Sequence, residues 1–257
     1  MEFAPRMSRF KPSPSQIASA RVRDLQAEGR TIIKLTAGEP DFPAPDHAKR
    51  AVLDLMERND IQYTPINGTL AMRQAVQAKF KRDNDLDYAL DQIAVGSGAK
   101  QVLFNTLMAT VSAGDEVIIP GPYWASYPDM VKLAGGTPVF VSAGQNEKFK
   151  MRPSELAAAI TPQTKWFMFC SPSNPTGAAY SWDELQALAD VLLAHPHVHI
   201  LTDDVYEHLI FDDHKFATLA QVEPRLYDRT VTCNSVSKAF SMTGFRVGYA
   251  GGPKDII

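Results

Sequence analysis

Residues 93–121 read IAVGSGAKQVLFNTLMATVSAGDEVIIPG, and the order of signals in this stretch decides the fold. It predicts a strand, a glycine turn, a helix, a stop at Gly114 and a second strand. The same alternation continues downstream. TPVFV (137–141), KWFMFC (165–170), VHILTD (198–203), RTVTCNS (229–235) and FRVGYAG (245–251) read as short apolar strands. Between them lie helix-length segments, one from about Ser154 and one opened by Ser181, with Glu184 placed to complete a capping box. Apolar strands separated by helices imply a three-layer α/β/α domain around a mostly parallel sheet covered on both faces.

Upstream, Ala48, Val52, Leu55 and Met56 form a one-sided helical stripe over 46–58, and Thr69 can cap a second helix running to about Lys81. The KFKR run at 79–82 reads as the solvated end of that helix. Residues 1–44 differ in character, with a Pro/Ser-rich start, a helix around Ile17–Glu28 and the three-proline loop GEPDFPAP. They read as an arm before a main domain at 45–257.

The chain has 257 residues, 45% hydrophobic and 21% charged, with a formal net charge of -3. No global basic field attracts nucleic acid or anionic membrane, and no run of eighteen apolar residues offers a membrane span. Cys170 and Cys233 both sit in apolar strand-like runs. Buried free thiols in a reducing compartment, hence the cytoplasm, are expected.

In an open parallel sheet, ligands collect at the C-terminal ends of strands. Several informative residues fall there. GSGAK (96–100) opens a helix after a strand, so Gly98, Ala99 and Lys100 could present backbone N–H groups to a phosphate, although an ordinary glycine turn has the same appearance. It is neither a dinucleotide fingerprint nor a Walker loop. Asp203 ends a strand with Tyr206 three residues on; Asn174 lies in SPSNPTG, and Trp124 in GPYWASYP. Taken singly, these read as a helix cap, a turn and a packing residue. His195, His197 and His199 alternate in HPHVH, but Pro196 breaks the run at a helix-to-strand joint, so no metal site is expected.

Together, and in this order, GEPDF, YTPING, GSGAKQ, PGPYW, SPSNPTG, TDDVYEHL and SVSKAFSMTGFRVGYAGGP resemble the class I aminotransferases of pyridoxal-phosphate fold type I. The likeness is strongest to the bacterial aspartate aminotransferase branch and covers roughly Arg9 to Ile257. It implies pyridoxal 5'-phosphate as cofactor, carried by Lys238 as a Schiff base, with Lys238 also moving the proton. Asp203 matches the carboxylate that keeps the pyridine nitrogen protonated, Asn174 and Tyr206 the groups at the ring hydroxyl, and Trp124 the stacking ring. Ser235 and Arg246 match phosphate ligands, and Gly38 a backbone contact to the substrate carboxylate. Trp124 and Asn174 would also face the substrate.

Asp204 would point away from Asp203 by strand alternation. Ser237, Ser241 and Thr243 could approach the cofactor. The resemblance also implies a homodimer in which Tyr63 reaches the partner's cofactor phosphate, and amino-group transfer between an amino acid, aspartate or glutamate first, and a 2-oxo acid. Lyases share the scaffold. Family members continue into a C-terminal small domain with a carboxylate-clamping arginine; these residues hold no match to it, so a fragment, or a chain that binds cofactor or dimerises without turnover, is the alternative.

Overall fold

In the computed structural model, which describes residues 2–10 and 12–257, three helices precede the sheet: α1 (Pro14–Ala27), α2 (Asp46–Glu57) and α3 (Leu70–Asn84). The alternation expected of residues 93–121 is present as β1 (Ile93–Gly96), α4 (Ala99–Thr110) and β2 (Glu116–Gly121). α4 stops short of Gly114, with Val111 as its C-cap. Then come α5 (Ser126–Ala134), β3 (Thr137–Ser142), α6 (Pro153–Ala159), β4 (Thr164–Phe169), α7 (Trp182–Leu193) and β5 (His199–Asp203). The last elements are α8 (Leu219–Val222), β6 (Thr230–Ser235), α9 (Val236–Ala239) and β7 (Gly248–Gly251).

The seven strands form one sheet in the order β1-β7-β6-β5-β4-β2-β3. Strands β2 to β6 pair in parallel, while β7 is antiparallel to both β1 and β6. β1 therefore runs in the same direction as the parallel set, which brings the N-terminus of α4 to the edge where the parallel strands end.

Strand alternation sends side chains to two cores. From β4, Trp166 and Met168 enter a cluster with Leu103 and Leu107 of α4 and Met130 and Val131 of α5. Phe167 and Phe169 enter the opposite cluster with Leu185, Leu188 and Leu192 of α7. All four β4 side chains are buried, each large apolar one contributing roughly 1.5–3 kcal/mol. A third cluster closes the β1 edge, where the Phe80 ring meets Tyr88 and Tyr249 edge-on at 5.1 and 5.6 Å.

Local caps follow the sequence. Ser181 Oγ accepts from the Glu184 N–H at 3.3 Å while Glu184 accepts from the Ser181 N–H at 2.7 Å, and Thr69 Oγ1 accepts from the Met72 N–H at 3.2 Å. At the other end of α7, the Arg229 guanidinium donates to the carbonyls of Leu192 (2.7 Å), His195 (2.9 Å) and Val198 (2.5 Å). These are carbonyls that a helix end leaves without intrahelical donors.

Two expectations change. The apolar stripe of α2 exists, yet no residue of that helix is buried: Val52 is 42% and Met56 61% exposed. The KFKR run is only half solvated. Phe80 is fully buried, and Lys79 turns inward to pair with buried Glu207, leaving Lys81 and Arg82 outside. A charged run on a helix looks uniform in sequence, but here one turn faces the core.

Candidate active site

A cavity of about 950 Å³ opens at the C-terminal edge of the sheet, between its strand ends and α1. Asp203 enters from the last position of β5, Ser235 from the last of β6, and Trp124 from the loop after β2. Asn174 comes from the loop after β4, Lys238 from the short α9, and Ala99 and Lys100 from the first turn of α4. Tyr206, Arg246 and Gly38 complete the expected set around this space.

Gly98 does not line it, and Tyr63, expected at the cofactor of a partner, lies elsewhere. Tyr63 is fully exposed to solvent, outside the cavity of its own chain. Gly98 lies just behind the wall, and its N–H donates to the Gly96 carbonyl at 2.8 Å. That correction leaves Ala99 and Lys100, at the head of α4, as the backbone donors of the loop; the first N–H groups of a helix have no intrahelical acceptor. Gly98 serves instead by conformation. Its φ is +92°, and a side chain there would collide with the Arg246 guanidinium. Arg246 is thereby seated against the loop, donating to the carbonyls of Ser97 at 3.1 Å and Thr243 at 2.8 Å.

Asp203 and Asp204 diverge, as alternation requires. Asp203 lines the cavity, while Asp204 accepts from Thr202 Oγ1 at 3.2 Å. Burial pushes the Asp204 carboxyl up to about 8. Asp203 is pushed up by burial to about 6, against the pull of the Tyr127 hydroxyl and the Val205 N–H. Tyr127 donates to Asp203 Oδ2 at 2.6 Å, and Asp203 Oδ1 is buried with no hydrogen-bond partner. Beside them Asn174 Nδ2 donates to the Tyr206 hydroxyl at 3.3 Å, and burial raises that phenol to about 12.

Lys238 Nζ donates to the carbonyl of Gly38, in the loop two hundred residues earlier. Burial lowers its pKa, with Glu39 pulling the other way. Lys100 is lowered by burial and then by Arg246; its ammonium lies 4.7 Å from the Trp124 ring centroid, and that ring stands edge-on to Tyr127 at 5.4 Å. The cavity thus gathers cations around two carboxylates, one of them deeply buried. It suits an anionic ligand that brings one hydrogen-bond donor to Asp203.

Sequence reasoning missed several wall residues. No motif marks Tyr127 in GPYWASYP, or Ser15, Gln16, Ser19 and Arg23 in α1, yet all five line the cavity. Of the three hydroxyl residues named near Lys238, Ser237 and Thr243 line it and Ser241 does not.

The three histidines do not converge. The rings of His195 and His197 are 6.1 Å apart, and His199 packs 5.2 Å from Trp166. Among the described residues, one group, Asp83, Glu207 and His208, is spaced for a metal, but the Lys79 ammonium already sits on Glu207.

The sequence matches the family Aminotransferase class I and II over residues 30–257. The chain belongs to that family. A class I and II relative from Rhizobium leguminosarum bv. phaseoli, named "Probable aspartate/prephenate aminotransferase", is 57% identical over 255 residues, 99% of this chain and 64% of the relative. The "Aspartate/prephenate aminotransferase" of Cereibacter sphaeroides is 55% identical over 251 residues, 98% of this chain and 63% of its own length. The crystal structure of the Rhizobium meliloti aspartate aminotransferase superposes with a TM-score of 0.95 at 48% identity, covering 100% of this chain and 64% of that one. The chain therefore spans a little under two thirds of the length of these relatives.

Class I and II aminotransferases of this kind depend on pyridoxal phosphate, and the cavity fits that group. The unpartnered buried oxygen of Asp203 awaits a donor, the head of α4 with Arg246 supplies an anion cradle, and a half-buried amine stands between them.

Proposed function

We propose that the protein is a pyridoxal-phosphate-dependent aminotransferase that moves an amino group between an amino acid, aspartate or glutamate first, and a 2-oxo acid. The observation that carries this reading is the pairing, in one cavity, of the half-buried Lys238 amine with the buried oxygen of Asp203 that has no partner among the described residues. Bound pyridoxal phosphate supplies an electron sink for the bonds at the substrate's α-carbon.

The protein's residues do the rest. With the cofactor bound, Asp203 Oδ1 would hold the proton on the pyridine nitrogen. Asn174 and Tyr206 would be the partners of the ring hydroxyl, and Trp124 a wall of the ring site. Ser235, Arg246 and the N–H groups at the head of α4 would hold the phosphate. Lys238 Nζ is the amine that would carry the cofactor and serve as the base for the α proton, a role that its lowered pKa favours. The Gly38 carbonyl beside Nζ supports placing the substrate carboxylate near the Gly38 backbone.

In this reading residues 45–257 hold the cofactor and residues 1–44 approach it from above. Exposed Tyr63 serves the phosphate of a second copy in a homodimer, and the two free thiols support a cytoplasmic setting. The names of the relatives support aspartate and add prephenate as a candidate substrate.

The test is an absorption spectrum of the purified protein with pyridoxal phosphate, before and after aspartate, then after a 2-oxo acid. Loss of the cofactor band with aspartate and its return with the oxo acid is expected. Ammonia release without oxo-acid dependence would indicate a lyase, and a band indifferent to amino acids would overturn the activity. In the same assay Arg246→Ala is expected to weaken cofactor binding by about 10- to 100-fold, the effect of losing one charged hydrogen-bonding partner. Unchanged affinity would remove Arg246 from the phosphate site.

A further inference from the structure

Asp203 is held by a residue to which neither the motifs nor the comparisons assign a role. We propose that Tyr127 is a positioning residue for the ring-nitrogen contact, its hydroxyl engaging Oδ2 of Asp203 so that Oδ1 is the oxygen left to meet the cofactor. The inference rests on the cofactor site proposed above and deepens it.

The geometry is specific. Tyr127 is the second residue of α5, buried, and its hydroxyl reaches Asp203 Oδ2 at 2.6 Å across 76 residues of sequence. The other carboxylate oxygen is buried and has no hydrogen-bond partner among the described residues. A carboxylate turning about its last torsion would exchange the two oxygens, and the Tyr127 hydroxyl fixed on one of them opposes that exchange. Tyr127 is itself fixed, since its ring stands at 90° to Trp124 and packs in the core formed by α4 and α5. One aromatic residue thus links the ring that covers the cofactor to the carboxylate that meets its edge.

The hydroxyl also favours the ionised carboxylate, against the burial that raises Asp203. The groups facing Asp203 are Tyr127 from α5, Cys170 after β4, Cys233 on β6, Asp204 and Tyr206 from its own segment, and Lys238 across the cavity. Burial raises the two phenols, the two thiols and Asp204 above their ordinary values, as it raises Asp203. Removing the hydroxyl stabilises the protonated acid and moves its midpoint upward.

The experiment is Tyr127→Phe, which keeps the ring. In the cofactor-free protein, ¹³C NMR of labelled aspartate, assigned with Asp203→Asn, is expected to show the Asp203 midpoint rising by about one pH unit. With pyridoxal phosphate, the acid limb of the affinity profile should move up by the same amount. A residue that only fills space would lower affinity evenly with pH and leave the midpoint where it was; an unmoved Asp203 midpoint overturns the proposal. Should the phenylalanine variant not fold, 3-fluorotyrosine at position 127 tests the same contact with opposite sign, because the more acidic phenol is the stronger donor and lowers the midpoint. A midpoint that moves in a protein that takes up no pyridoxal phosphate upholds the Tyr127 contact and refutes the cofactor site instead.

Discussion

Lys238→Ala is expected to hold pyridoxal phosphate without bonding to it. After borohydride reduction, mass spectrometry should find the cofactor mass on the wild-type chain and none on the variant, and transamination should fall by at least about 10⁴-fold. The size follows from two losses at one atom: the covalent tether disappears, and so does the base that moves the α proton, which alone is worth about 10²- to 10⁴-fold. The remaining contacts, Asp203 Oδ1, the Asn174–Tyr206 pair and Arg246, do not depend on the lysine for their geometry. Reversible, dialysable binding should therefore survive. A reduced cofactor adduct on the variant would place the reactive amine elsewhere, with Lys100 the next candidate in the cavity.

Gly248→Ala is expected to be the most damaging single methyl in the protein's sheet. Gly248 begins β7 and pairs with Gly96 of β1 on one side and Ser235 of β6 on the other. A β-carbon there would overlap the Ala99 nitrogen and the Gly98 carbonyl carbon, backbone atoms that cannot rotate away. Relief requires the head of α4 to move, and that head is the proposed phosphate cradle. A loss of about 3 kcal/mol is expected, a fall of about 10 °C in melting temperature for a domain of this size, with cofactor affinity reduced about tenfold or more. Gly244→Ala is the control, since a β-carbon there meets nothing within 4 Å. Thermal melts and a cofactor titration of the two variants check both statements; equal behaviour would show that the loop yields.

The parallel part of the sheet was legible because its strands are buried on both faces, which forces nearly continuous apolar runs such as KWFMFC, and because capping residues punctuate the helices between them. The direction of β7 was not legible. Its residues, GYAG, carry no periodicity, and its close neighbours, the head of α4 at Gly248 and Tyr88 at Gly251, lie far from it in sequence. In the site, residues with distinctive chemistry at strand ends, Lys238, Asp203 and Asn174, could be found from sequence and order. Tyr127 could not, because its role depends on an aspartate 76 positions away. Lys79 was misread for the same reason: its partner Glu207 arrives from the turn that carries Tyr206, and nothing local announces it. The exposed stripe of α2 shows the converse, a correct helical pattern that no described residue covers.

The place of β7 also sets a timetable. β1 pairs in the sheet only with β7, a strand made more than 150 residues later, so during synthesis β1 must wait while β2 to β6 assemble beside a gap. At a translation rate of about 5–20 residues per second, that wait is of the order of ten seconds or more. Because the head of α4 rides on β1, and Arg246 arrives just before β7, the anion-holding corner is the last piece of the pocket to be born. A nascent chain would own Asp203 well before it owned the corner proposed here to hold a phosphate.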